Sequence, residues 1–212
     1  MTAYLALAAT FLTGDVVDRI AATVDTSTIS LSESRIQAKV AALIDARPPA
    51  IDAKALREAA ERLVEQTILK REMAFTDFSP PPPSSGATLL ADLKRSRFHS
   101  SEAEYRAALA EYGVSEDELL AQLHWQITVL RFIDFRFRPG IQVSPADIRD
   151  YYQRKFTADW REATANPVPP LGQVRERIEA ILAQEQLDAA VERWLNQTRT
   201  QLKIRFREEA FQ

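Results

Sequence analysis

The sequence contains no cysteine, which excludes disulfides, thiolate metal ligands and a cysteine nucleophile together. It has two histidines, His99 and His124, 25 positions apart and without HExxH or comparable spacing. Each reads as a helix-surface or boundary residue, and no metal site is expected. Glycine is scarce, at five residues in 212. No GxGxxG, P-loop or GxSxG pattern occurs, so phosphate cradling and α/β-hydrolase chemistry have no basis. Excess positive charge is missing as well: 27 Lys and Arg against 30 Asp and Glu give a net charge of −3. Nucleic-acid binding draws on many cations, so nucleic acid is not expected as a partner. Nor is there a long apolar run. Tyr4 to Leu12, YLALAATFL, falls well short of the ~20 apolar residues of a membrane span, and no stable membrane insertion is expected.

What is abundant is alanine, leucine, glutamate and arginine, a balance that favours helices over sheets. A chain of this length can bury a real core. The predicted fold is mainly α, with a small β-sheet built from both ends of the chain. At the N-terminal end, Ile20, Ala22 and Val24 alternate with Ala21, Thr23 and Asp25, and Ile29 and Leu31 continue the pattern beyond a polar break. Period-two patterning on both sides of a turn predicts a hairpin. At the other end, Gln201 to Phe206 is a β-like run that follows a long amphipathic helix starting at Leu171.

Between these ends the chain reads as helices. Ser30 with Glu33, Ser101 with Glu104 and Ser115 with Glu118 are S-x-x-E capping boxes. The first opens a helix over about 32–46 with Ile36, Val40 and Leu43 as its apolar stripe. Arg47-Pro48-Pro49 ends it, and Asp52 caps the next, which runs to about Phe75. Pro80 to Pro83 then forms a stiff tract, read as a surface loop or hinge. The longest helix of the middle region follows Ser115, with Leu119, Leu123, Ile127, Leu130, Ile133 and Phe137 at helical spacing, widened by Leu120, Val129, Phe132 and Phe135. Ser144-Pro145-Ala146-Asp147 starts a short helix through Tyr151, Tyr152 and Phe156.

One constellation resembles a helix-turn-helix, Ala107 to Ser115 with Gly113 in the turn. A reading head presents the first residues of its second helix to DNA, and here those are Glu116, Asp117 and Glu118. Like charge opposes that role, and an αα-hairpin with a glycine C-cap is the expectation. The carboxylates sit mostly at caps and on polar faces, without a defined catalytic pair. No enzyme activity and no cofactor are expected.

Several segments, taken in order, resemble the chaperone module of SurA-like periplasmic foldases and the N-terminal regions of parvulin-type prolyl isomerases. They are Val17 to Val24 with Ile29 to Ser34, Leu63 to Leu69, Val143 to Tyr152, and Val174 to Ile178 through Trp194 and Leu195 to Ile204. The resemblance implies a single helical chaperone domain over 16–212, with a helical middle over 32–156. The C-terminal helix and strand over 171–207 would return to pack on the N-terminal strands. It also implies an ATP-independent periplasmic holdase for unfolded or outer-membrane proteins, with unfolded proteins and peptides as partners. Two departures stand out. Thr157 to Pro170 is far too short to hold the parvulin domain found there in full-length relatives, so isomerase activity is not carried over. Asp25-Thr26-Ser27 replaces the usual Asn- or Gly-containing turn, which leaves the hairpin register open.

On this reading Tyr4 to Leu12 serves as the apolar core of an export signal over 1–15, with Ala6-Leu7-Ala8 as an A-x-A cleavage pattern. No Lys or Arg precedes it, and an apolar tail is the alternative. The candidates for client contact are Leu120, Phe132, Phe135, Tyr151, Tyr152 and Trp160, since the long helix is apolar on more than one face and an exposed apolar patch with a polar rim marks a partner site. The alternative function is a non-catalytic interaction or assembly module with one specific partner, possible also as a swapped homodimer.

Overall fold

Ser30 and Glu33 begin the helical part of the molecule by capping each other. The Glu33 amide donates to Ser30 Oγ at 3.1 Å, and the Ser30 amide donates to the Glu33 carboxylate at 2.7 Å. This satisfies two amides that the first helical turn would otherwise leave without acceptors. The computed structural model describes residues 18–49, 51–164 and 166–212; the Tyr4 to Leu12 segment and the export reading attached to it lie outside them.

Helix α1 (Leu31–Ile44) leads from the sheet to α2 (Ala53–Ala74), which Asp52 caps at the Ala55 amide. Next come α3 (Ser84–Phe98), α4 (Glu102–Tyr112), α5 (Glu116–Phe137), α6 (Pro145–Tyr151), α7 (Thr157–Ala163) and α8 (Leu171–Gln201). The predicted sheet is present. Strand β1 (Ile20–Val24) pairs antiparallel with β2 (Ser27–Ser30) along one edge and with β3 (Ile204–Phe206) along the other. Val24 lies opposite both Ser27 and Ile204, so the order is β2-β1-β3. The hairpin register left open by the sequence is settled at Asp25. Its φ of 51° lies in the left-handed region that Gly or Asn more often fills, and its carboxylate is anchored by the Lys203 amide at 2.9 Å.

The core divides into four adjoining parts. Leu43, Leu90, Tyr105, Leu119 and Leu123 join α1, α3, α4 and α5. Ala21, Leu31, Leu56, Ala60 and Phe211 close one face of the sheet. Ala22, Val24, Ile29, Val64 and Ile68 pack with Trp194 and Leu195, which brings the C-terminal half of α8 onto the sheet and α2. Ile148, Phe156, Val174 and Ile178 attach the N-terminal half of α8 to α6 and α7. Helix α8 therefore ties the sheet at one end of the molecule to the α6–α7 unit.

Three local readings are refined. Within the stripe predicted for α1, Val40 and Leu43 are buried but Ile36 is 40% exposed. The proline tract is a surface loop at Pro80, Pro82 and Pro83, which are exposed, but it is anchored at Pro81. Pro81 is buried, its carbonyl oxygen lies 3.0 Å from His124 Nε2, and α3 starts at once at Ser84. Gly86 makes this approach possible, because a Cβ there would sit 2.9 Å from the Cβ of His124. Finally, the helix through Tyr151 and Tyr152 widens into a π turn over Tyr152–Phe156 before α7. Tyr152, Phe156 and Trp160 stack along it with ring centroids 5.8 and 5.6 Å apart. The Tyr152 hydroxyl donates to the Pro169 carbonyl at 2.8 Å and Trp160 Nε1 donates to that of Asn166 at 3.2 Å. These bonds fold the loop before α8 back onto the α6–α7 unit.

The αα-hairpin reading of the Gly113 turn agrees with the geometry. Gly113 has φ 58° at the C-cap of α4, where the left-handed conformation ends the helix. The acidic first turn of α5 is occupied structurally: Glu118 completes a capping box with Ser115, and Glu116 pairs with Lys94 at 3.1 Å.

Candidate functional site

Helix α5 is apolar around more of its circumference than α3 and α4 cover. Its remaining face looks across α1 and α2 on one side and α8 on the other, and an open trough follows it from Glu118 to Arg138. At 1.5 Å per residue this is about 30 Å long. Three cavities occupy it in succession.

The first, about 360 Å³, lies between α1, α2 and the start of α5, with Ile36, Leu63 and Trp125 among its walls. Lys70 Nζ lies 5.2 Å from the Trp125 ring centroid. The second, about 430 Å³, is walled by Leu69 of α2 and by Trp125, Val129 and Leu130 of α5. Its polar lining comes from Gln37, Arg62, Glu65, Gln66, Gln122 and Gln126. The third, about 550 Å³, lies between α5 and α8, where Leu130 and Ile133 face Leu187, Val191 and Leu195. Its rim carries the acids Asp134, Asp188 and Glu192 and the cations Arg138 and Arg199. Arg199 crosses to Glu65 of α2 at 3.0 Å, and Arg138 pairs with Asp134 one turn back. Leu130, shared by the second and third cavities, is 65% exposed. So large an aliphatic surface in a concave site with a polar border has the character of a binding surface.

None of the six residues singled out from the sequence lines these cavities. Leu120 is half-buried against the core formed by α1, α3, α4 and α5. Phe132 is fully buried on another side of α5, where it meets the Phe78 ring edge-on at 5.3 Å, so it presents no surface to a ligand. Phe135 also faces Phe78, at 5.6 Å, and is 47% exposed. Tyr151, Tyr152 and Trp160 pack around Ile148 and Phe156 in the α6–α7 unit. The aromatics hold segments together, and the trough is mainly aliphatic.

The sequence matches no known family model and no curated protein. Among the described residues, no group of three His, Asp or Glu side chains is placed to hold a metal ion. No helix of the described residues is long and apolar enough to cross a membrane. Carboxyls held below their usual range occur at turns and caps. Lys203 and Arg71 lower Asp25 through hydrogen bonds, and Ser144 lowers Asp147. What the trough offers is apolar area, neutral amides and paired charges, which suit reversible association.

The decisive residues had a partial signal in the sequence. Val129, Leu130 and Ile133 belong to the α5 stripe, and Val191 and Leu195 lie in the amphipathic helix predicted from Leu171, but periodicity alone does not tell which apolar residues a neighbouring helix will cover. Trp125 and Leu187 stand out only once α2 and α8 are placed.

Proposed function

We propose that this protein is an ATP-independent holdase that shields apolar segments of unfolded or partly folded proteins in the trough along α5. The observation that carries this reading is Leu130, largely exposed at the junction of two cavities and flanked by Trp125, Val129 and Ile133. Each large apolar side chain a client buries there supplies roughly 1.5–3 kcal/mol. Ordering the client and its side chains offsets much of that, so contacts are weak and exchange readily, as holding without a nucleotide requires. The paired charges along the rim keep the trough's own surface hydrated.

The resemblance of several segments to SurA-like chaperones supports the same role. It also supports a periplasmic location and outer-membrane proteins as clients, and the apolar segment Tyr4 to Leu12 agrees with export. The test is light scattering from a denatured β-barrel protein diluted into buffer without nucleotide. Near-stoichiometric holdase slows aggregation; unchanged traces at tenfold excess refute the role.

A second reading rests on a different surface. Phe75 is 78% exposed at the end of α2, and the half-exposed Phe135 meets the Phe78 ring on α5's far side. Exposed aromatics of this kind fit an assembly module with one defined partner, including a second copy of the chain. Breadth separates the two: a holdase binds several unrelated unfolded peptides, whereas a dedicated module binds one folded partner.

A further inference from the structure

The central cavity of the trough has an unusual lining for an apolar site. Four glutamine side chains meet there: Gln37 from α1, Gln66 from α2, and Gln122 and Gln126 from α5. Gln66 Nε2 donates to Gln37 Oε1 at 3.4 Å, a long bond that engages one donor and one acceptor of the set. Among the described residues, the side-chain amides of Gln122 and Gln126 have no hydrogen-bond partner. The two charged residues at this cavity are opposite in sign, Arg62 and Glu65, and Glu65 is already paired with Arg199. That leaves Arg62 without an ion-pair partner among the described residues.

A primary amide carries both a donor and an acceptor, the same pair that a peptide unit carries. When a polypeptide inserts an apolar side chain beside Trp125, its neighbouring N–H and C=O groups leave water as well, and each needs a partner. Wholly aliphatic walls would leave them unsatisfied. Glutamines satisfy them whatever the client's side chains are.

Spacing adds a second argument. Gln122 and Gln126 stand one turn apart on the same face, which is about 6 Å along the α5 axis. Alternate residues of an extended chain, whose main-chain groups point the same way, repeat at about 6.6 Å. A helical ligand has its main-chain groups already bonded and would gain nothing from these amides.

Building on the holdase reading, we propose that Gln122 and Gln126, with Gln37 and Gln66 opposite, read the main chain of an extended polypeptide segment whose one large apolar side chain seats against Trp125, Leu69 and Val129. Selectivity in this cavity is then for exposed backbone, the feature that distinguishes an unfolded client from a folded one.

The test pairs a short capped peptide of uncharged residues around a central leucine with the same peptide N-methylated at two alternate positions, which removes donors along one edge. Each is titrated calorimetrically into the full chain and into the Gln122→Met/Gln126→Met variant, with circular dichroism and the urea midpoint confirming that the variant is folded. The wild type is expected to bind the parent peptide about tenfold more tightly than its methylated form, and the variant to bind the two equally. A wild type that does not discriminate, or a variant that still does, overturns main-chain reading. If that same wild type slows aggregation of a denatured client, the holdase function stands without it. A wild type that binds neither peptide and leaves aggregation unchanged overturns both.

Discussion

Asp25 and Lys203, 178 positions apart, bond to each other twice: the Lys203 amide donates to Asp25 Oδ1 at 2.9 Å, and the Asp25 amide donates to the Lys203 carbonyl at 3.0 Å. Arg71 of α2 adds a third tie at 2.6 Å to the same carboxylate. One hairpin residue thus fixes the turn between β1 and β2, the approach of β3 and the end of α2.

This arrangement makes the backbone and the carboxylate of Asp25 separable. Asp25→Gly keeps the left-handed conformation but loses the acceptor, whereas Asp25→Ala loses the acceptor and strains the turn. Urea midpoints are expected in the order wild type, Gly, Ala. Equal midpoints for the Gly and Ala variants would show that the turn's conformation contributes nothing.

Acid stability follows from the same contacts. Hydrogen bonds from Lys203 and Arg71 hold Asp25, and Ser144 holds Asp147, below the ordinary aspartate value of 3.8. Because the folded state is the more acidic of the two, the unfolded chain takes up protons first as the pH falls. The stabilisation is complete above the ordinary value and is lost as the pH drops through the lower folded values. Stability should therefore fall below about pH 4, and the Asp25→Asn/Asp147→Asn variant should show a flatter profile. Parallel profiles for the two proteins would assign the acid loss to other groups.

Gly86→Ala tests the docking of α3 on α5. Alanine adds up to about 1 kcal/mol of helix propensity, but its Cβ would lie 2.9 Å from the Cβ of His124, with His124 Cα and N both at 3.3 Å. Those atoms belong to a packed helix and do not yield cheaply, so overpacking at about 1–3 kcal/mol outweighs the gain. Thermal unfolding should show a lower midpoint. An unchanged or higher one would mean that the two helices separate easily.

Leu130 and Phe132 are two residues apart on α5 and should behave as opposites. Leu130→Ser alters an exposed side chain, so stability should change by no more than about 0.5 kcal/mol while protection of a denatured client is lost. Phe132→Ala empties a fully buried site and should lower stability by about 3–5 kcal/mol. Full client protection by folded Leu130→Ser would remove the trough from the mechanism.

The architecture was largely legible in the chain because its signals are local or periodic. Ser30 with Glu33, Ser115 with Glu118 and the Gly113 stop each act within one turn, and the alternation around Val24 marks a strand wherever its partner lies. The paired chain ends followed from β-like runs at Ile20 and Ile204. What escaped depends on contacts across the fold. Leu120, Phe132, Phe135, Tyr151, Tyr152 and Trp160 have the apolar and aromatic character of a contact surface, yet Phe78, Pro169 and Asn166 engage several of them from outside any period-3.6 pattern. The docking of Pro81 on His124 likewise joins residues 43 positions apart and leaves no mark on either segment.

The central position of β1 has a consequence during synthesis on the ribosome. Its neighbour β2 emerges almost at once, but Ile204 to Phe206 follows only after α1 to α8. Until then one edge of β1 stays bare, and Ala22 and Val24 lack the lid that Trp194 and Leu195 later supply. The nascent chain is itself an unfinished, sticky polypeptide until β3 and the end of α8 have emerged, so closure of the sheet waits on residues far downstream of its first hairpin.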